Sequence, residues 1–158
     1  MAASGTITIS GKVIANTCTT QINGTGTGDG TVTLPDVATD LLDSGESAGM
    51  TGFTIDVTDC TNAIDSVKAA FEPTNVDLAT GNLKNIAATT PATNVEVQIL
   101  DQTGTVIDLV ANDSTALDLP DATKEAHLHY AAQYVNDSGA AAAAGNVESQ
   151  AVYSISYE

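Results

Sequence analysis

Residues 52–58, Gly52-Phe53-Thr54-Ile55-Asp56-Val57-Thr58, set an apolar side chain at every second position and run into Asp59-Cys60. A period of two places Phe53, Ile55 and Val57 on one face of an extended chain and Thr54, Asp56 and Thr58 on the other. The segment is a half-buried β-strand, and such a strand needs a sheet around it and a second apolar layer to cover it.

The same alternation recurs along the chain. Val67, Ala69 and Phe71 form a strand ending at Pro73. Val95, Val97 and Ile99 alternate up to the turn Asp101-Gln102-Thr103-Gly104, from which Val106-Ile107-Asp108-Leu109 returns. The stretch from His127 to Tyr134 carries Leu128, Tyr130 and Ala132 on one face, and the last segment carries Ala151, Tyr153, Ile155 and Tyr157. Near the start, Ile7 and Ile9 alternate with Thr6, Thr8 and Ser10. With Val13-Ile14-Ala15 they read as one long extended segment reaching Cys18. Thr31-Val32-Thr33-Leu34 restores alternation after the turn-rich run from Asn23 to Gly30, and Pro35 stops it. Residues 38–50 read as a polar connection. The alanine run in 139–145, flanked by glycines, reads as a flexible connection rather than a helix. Eight or so short strands in a chain of 158 residues predict one β-sandwich domain.

Composition narrows the function classes. Four basic residues, all lysine, against twenty acidic ones give a net charge of -16. Such a surface repels phosphate backbones and anionic lipid heads, so nucleic acid is excluded as a partner. Charged residues make up only 15% of the chain and tryptophan is absent, which suits a β protein of small, closely meshed side chains. No stretch approaches a transmembrane helix. Met1-Ala2-Ala3-Ser4-Gly5 has neither a basic nor an apolar leader region, so an export signal is expected to have been removed or replaced by a start codon.

Cys18 and Cys60 are the only cysteines. A disulfide is the natural assignment, stable outside a reducing compartment; two buried free thiols are the alternative.

Catalytic and metal chemistry find little footing. His127 and His129, the only histidines, share a strand face and could hold zinc, but no third ligand accompanies them in sequence. No serine sits in a nucleophile elbow, and Asp118 and Asp121 lie in turn-like contexts. The run Thr25 to Gly30 lacks the carboxylate spacing of a calcium loop. No enzymatic activity and no cofactor are expected.

Four separated segments carry a resemblance. They are Gly5-Thr6-Ile7-Thr8-Ile9-Ser10-Gly11-Lys12-Val13-Ile14 leading to Cys18; Gly52-Phe53-Thr54-Ile55 ending at Asp59-Cys60; Thr93-Asn94-Val95-Glu96-Val97-Gln98-Ile99-Leu100-Asp101; and the terminal Tyr153-Ser154-Ile155-Ser156-Tyr157-Glu158. In this order and spacing the chain resembles the major pilins of chaperone-usher fimbriae, of the type 1 kind, over essentially its whole length. The resemblance implies an all-β fold, an incomplete immunoglobulin-like β-sandwich lacking its final strand and completed by a donor strand from a neighbouring subunit. It implies a division into a donor-strand extension, residues 1–12, and a pilin domain, residues 13–158. It also implies partners: identical subunits in a helical filament, a periplasmic chaperone, an outer-membrane usher and a tip adhesin. The site would be a fimbrium on the bacterial surface, reached through the periplasm.

Residue by residue, Gly5, Ile7 and Ile9 are the expected donor positions, with an ordinary first strand as the alternative. Tyr153, Ile155 and Tyr157 are expected to face the groove and the chaperone, with plain core packing as the alternative. The terminal carboxylate of Glu158 would anchor basic chaperone residues. The expected function is a structural subunit of an adhesive fimbria that polymerises by donor-strand exchange. The alternative is a minor or tip-associated subunit, or a secreted immunoglobulin-like module that recognises a host surface ligand. A small secreted hydrolase is a third class that no residue supports.

Overall fold

The computed structural model describes residues 5–11, 13, 18–61, 64–111, 116–120 and 122–157. Lys12 and Ile14-Ala15 of the expected first strand, Asp121 and the Glu158 carboxylate lie outside the described residues.

Among the described residues, seven strands make two facing sheets. They are β1 (Thr19–Ile22), β2 (Ser47–Thr58), β3 (Ser66–Phe71), β4 (Glu96–Leu100), β5 (Leu117–Asp118), β6 (Ala126–Val135) and β7 (Tyr153–Tyr157). One sheet has the order β1-β2-β6-β4 and the other β5-β3-β7, with every pairing antiparallel. No α-helix occurs among the described residues; one 3-10 turn covers Thr39–Leu41.

The alternation in sequence becomes the core between the sheets. Ile55 and Val57 of β2, Val67, Ala69 and Phe71 of β3, Val97 and Ile99 of β4, and Leu128, Tyr130 and Ala132 of β6 are all buried in one cluster. Phe71 stacks edge-on against Tyr130 with ring centroids 5.6 Å apart, joining the two sheets across the core. Burying one such aliphatic or aromatic side chain stabilises the domain by about 1.5–3 kcal/mol.

Several expectations are corrected. Among the described residues the first strand begins at Thr19, just after Cys18, and residues 5–11 enter no strand. β2 begins at Ser47, inside the stretch read as a polar connection, because a bulge between Ala48 and Thr51 breaks the alternation there. Gly49 makes that bulge possible: its φ is +74°, and a Cβ would lie 2.9 Å from the Tyr134 ring. Asp118 sits in β5, which pairs with Ser66 and Val67 at the edge of β3, and not in a turn. Residues 106–109 return from the Asp101 turn through one bridge, Leu100 to Val106, instead of a strand. The 139–145 stretch is tied down: Thr93 bridges Ala143, and Ala140 and Ala141 accept hydrogen bonds from Asn136 and Asn94.

At the start of β4, Glu96 accepts from the Thr80 hydroxyl at 3.0 Å and from Asn82 at 3.4 Å. Burial pushes its carboxyl above the usual carboxylate range; the bonds from Thr80 and Asn82 pull it down, and the charge of Asp77 raises it again. A raised folded-state pKa makes this group's stabilisation complete below its ordinary value, 4.5, and lost as pH rises through the folded value. Glu96→Gln is therefore expected to raise the unfolding free energy slightly at pH 7, by under about 0.5 kcal/mol. The gain should vanish at pH 4, and an equal gain at both pH values would contradict the assignment.

Candidate functional site

β7 forms its ladder with β3 alone among the described residues, in the register Tyr153 to Phe71, Ile155 to Ala69 and Tyr157 to Val67. Its other edge presents backbone N–H and C=O groups along a cleft, and such an edge is a template for a further strand. The cleft encloses about 1310 Å3. Small-molecule pockets are typically roughly 300–1,000 Å3.

Two walls and a floor make up the cleft. One wall is β7 with the preceding residues from Val147. The other is Cys18, Thr20 and Ile22 together with residues 28–37, and the floor includes Phe53, Ile55, Phe71, Val97 and Ile99. An apolar floor beneath unpaired backbone is the chemistry of strand addition: main-chain bonds hold the incoming segment while alternate side chains fill pockets.

Residues 31–34, expected to be a strand, belong to no ladder. The alternation is present and Leu34 packs against the core, but no strand lies beside them to pair with. Other contacts hold this wall. Gly30 lies so close to Ile22 that a Cβ would approach its side chain to 2.5 Å. The Tyr153 hydroxyl donates to the Gly28 carbonyl at 2.6 Å, and the Tyr134 hydroxyl donates to the Pro35 carbonyl at 3.0 Å. Burial pushes the Tyr153 phenol upward; a hydrogen bond with Thr20 opposes this and the Asp29 charge adds to it. Burial, then the Asp36 charge, raises Tyr134.

At the root of this wall Cys18 is bonded to Cys60. The bridge stands beside the first pair of the β1–β2 ladder, Thr19 to Thr58.

Tyr153, Ile155 and Tyr157 are half-buried on β7, line the cleft and pack on the core cluster. Gly5, Ile7 and Ile9 are not brought to them. Residues 5–11 enter no strand, and Ile7 and Ile9 are 88% and 92% exposed. Tyr134 was absent from the expected site, although it continues the Leu128, Tyr130, Ala132 face by the same period of two. Gly28 and Gly30 carried no signal beyond turn chemistry. His127 and His129 point away from the core, and His127 Nδ1 lies 2.6 Å from Asp56 Oδ1. No group of three metal-ligating side chains occurs among the described residues.

Comparison with known proteins places this geometry. The family model described as FimA, type-1 fimbrial protein, A, matches residues 34–158. The major fimbrial subunit SMF-1 of Stenotrophomonas maltophilia is 37% identical, over 99% of this chain and 94% of the relative. The F17 fimbrial protein of Escherichia coli is also 37% identical, over 100% of this chain and 89% of its own length. Among solved structures, the P pilus rod subunit PapA superposes with a TM-score of 0.69 at 19% identity, covering 90% of this chain and 100% of PapA. A subunit of a chaperone-usher pilus gives 0.67 at 21% identity, covering 99% and 96%. At these identities the two structures speak for the fold.

Proposed function

The chain belongs to the type-1 fimbrial protein family and is a structural subunit of a bacterial surface pilus; from that premise we propose that it joins its neighbours by taking the N-terminal segment of another copy into the cleft beside β7. Residues 1–12 are the lent extension and residues 13–158 the accepting domain. Gly5, Ile7 and Ile9 form the inserted face, and Tyr153, Ile155 and Tyr157 line the strand that receives it.

The free edge of β7 above an apolar floor carries this reading. An apolar cleft with unpaired backbone is costly in water and binds any strand that offers alternating apolar side chains. Ile7 and Ile9 offer that alternation from a segment that enters no strand of its own subunit. The same cleft requires covering before assembly, so a periplasmic chaperone is its first occupant and an outer-membrane usher directs the exchange. A tip adhesin ends the filament. The chain performs no turnover chemistry.

Ile9→Ala tests the donor face. Loss of one buried aliphatic side chain is expected to weaken each join by about 1.5–3 kcal/mol, read as a lower denaturant midpoint for filament dissociation with the subunit's own unfolding unchanged. An unaltered midpoint would mean that Ile9 does not enter a neighbour.

A further inference from the structure

Residues 28–37 supply most of one wall of the cleft and belong to no ladder. Two tyrosine hydroxyls tie its ends, each from a different sheet. Tyr153 of β7 reaches Gly28 O at 2.6 Å, across 125 residues of sequence, and Tyr134 of β6 reaches Pro35 O at 3.0 Å. Glycine lets the Tyr134 ring and the Thr20 and Tyr153 hydroxyls approach the backbone. A Cβ on Gly49 would lie 2.9 Å from the Tyr134 ring, and a Cβ on Gly28 would lie 3.4 Å from the Tyr153 oxygen and 3.1 Å from the Thr20 hydroxyl. Phenol hydroxyls are protonated at neutral pH, as donors to carbonyls must be.

Resting on the groove reading above, we propose that Tyr153 and Tyr134 are positioning residues for strand uptake, whose hydroxyls hold the unladdered wall at the spacing an incoming strand requires. A strand added between two walls sits about 4.8 Å from each. A wall free to wander would have to be ordered during capture, which slows productive insertion. A wall pinned at both ends meets the strand already in place. Because Tyr153 belongs to the accepting strand itself, its bond also sets the wall's position relative to the edge that receives the donor.

The test uses the full oxidised chain, its Tyr153→Phe and Tyr134→Phe variants and the double variant. Each is mixed with a fluorescent peptide of residues 1–13, and capture is followed by anisotropy. Loss of one hydroxyl bond is expected to slow capture about 2- to 10-fold, and loss of both more than either alone. The denaturant midpoint of the peptide-filled form should stay near that of the parent. Capture at the parental rate by both single variants would overturn the inference, as would a midpoint of the filled form that falls in step with the rate, since the tyrosines would then be ordinary structural residues. Failure of the parent to capture the peptide would instead remove the groove reading on which the inference stands.

Discussion

Removing residues 1–12 is expected to leave a chain that folds, keeps the Cys18–Cys60 bond and no longer elongates a filament. The core explains the first part: the buried cluster runs from Ile22 to Ala132 and draws nothing from residues 5–11. The cleft explains the rest. A truncated subunit retains the free β7 edge and the apolar floor, so it still accepts a donor from an intact subunit, but it has none to pass on. Added to intact chains at increasing ratio, it should cap growth and shorten filaments in proportion. Filament length and yield by electron microscopy and sedimentation measure this. Normal elongation by the truncated chain would show that subunits meet by some other surface.

The second large effect concerns the disulfide. Reducing it, or substituting Cys18→Ser with Cys60→Ser, is expected to cost about 3–4 kcal/mol of unfolding free energy, chiefly by freeing the denatured chain from a closed loop. The bridge spans 42 positions of sequence and encloses the whole wall from β1 to the end of β2. Cys18 also lines the cleft, so the loss should weaken donor capture as well as stability. Denaturant titration of the oxidised and reduced chains decides the matter. Midpoints corresponding to less than about 1 kcal/mol of difference would make the bond a minor feature of the fold.

Much of the architecture was legible because half-buried strands announce themselves. β2, β3, β4 and β6 bury the side chains that a period of two selects, and the burial of Leu128, Tyr130 and Ala132 follows from the pattern alone. What was not legible depended on partners distant in sequence. Thr31 to Leu34 has the alternation of a strand, yet a ladder requires a neighbour, and the neighbouring position is the cleft. β5 has two residues, too few for any period, and exists because it meets β3 at Ser66 and Val67. The bulge at Gly49 hid the start of β2. In the candidate site, the face of β7 could be read from Tyr153, Ile155 and Tyr157, whereas the reach of Tyr153 to Gly28 could not, since nothing local links residues so far apart. Alternation at Ile7 and Ile9 describes what those residues can pair with, and no strand among the described residues pairs with them.

The central claim is that the cleft beside β7 receives residues 5–9 of a neighbouring copy. A photoreactive benzoylphenylalanine in place of Ile9, carried in isotopically heavy subunits co-assembled with unmodified light ones, tests it directly. Mass spectrometry of the cross-linked peptides should find position 9 of a heavy chain joined to cleft residues such as Phe71, Ile155 or Tyr157 of a light chain. Cross-links confined to a single chain, or made to surfaces outside the cleft, would contradict it.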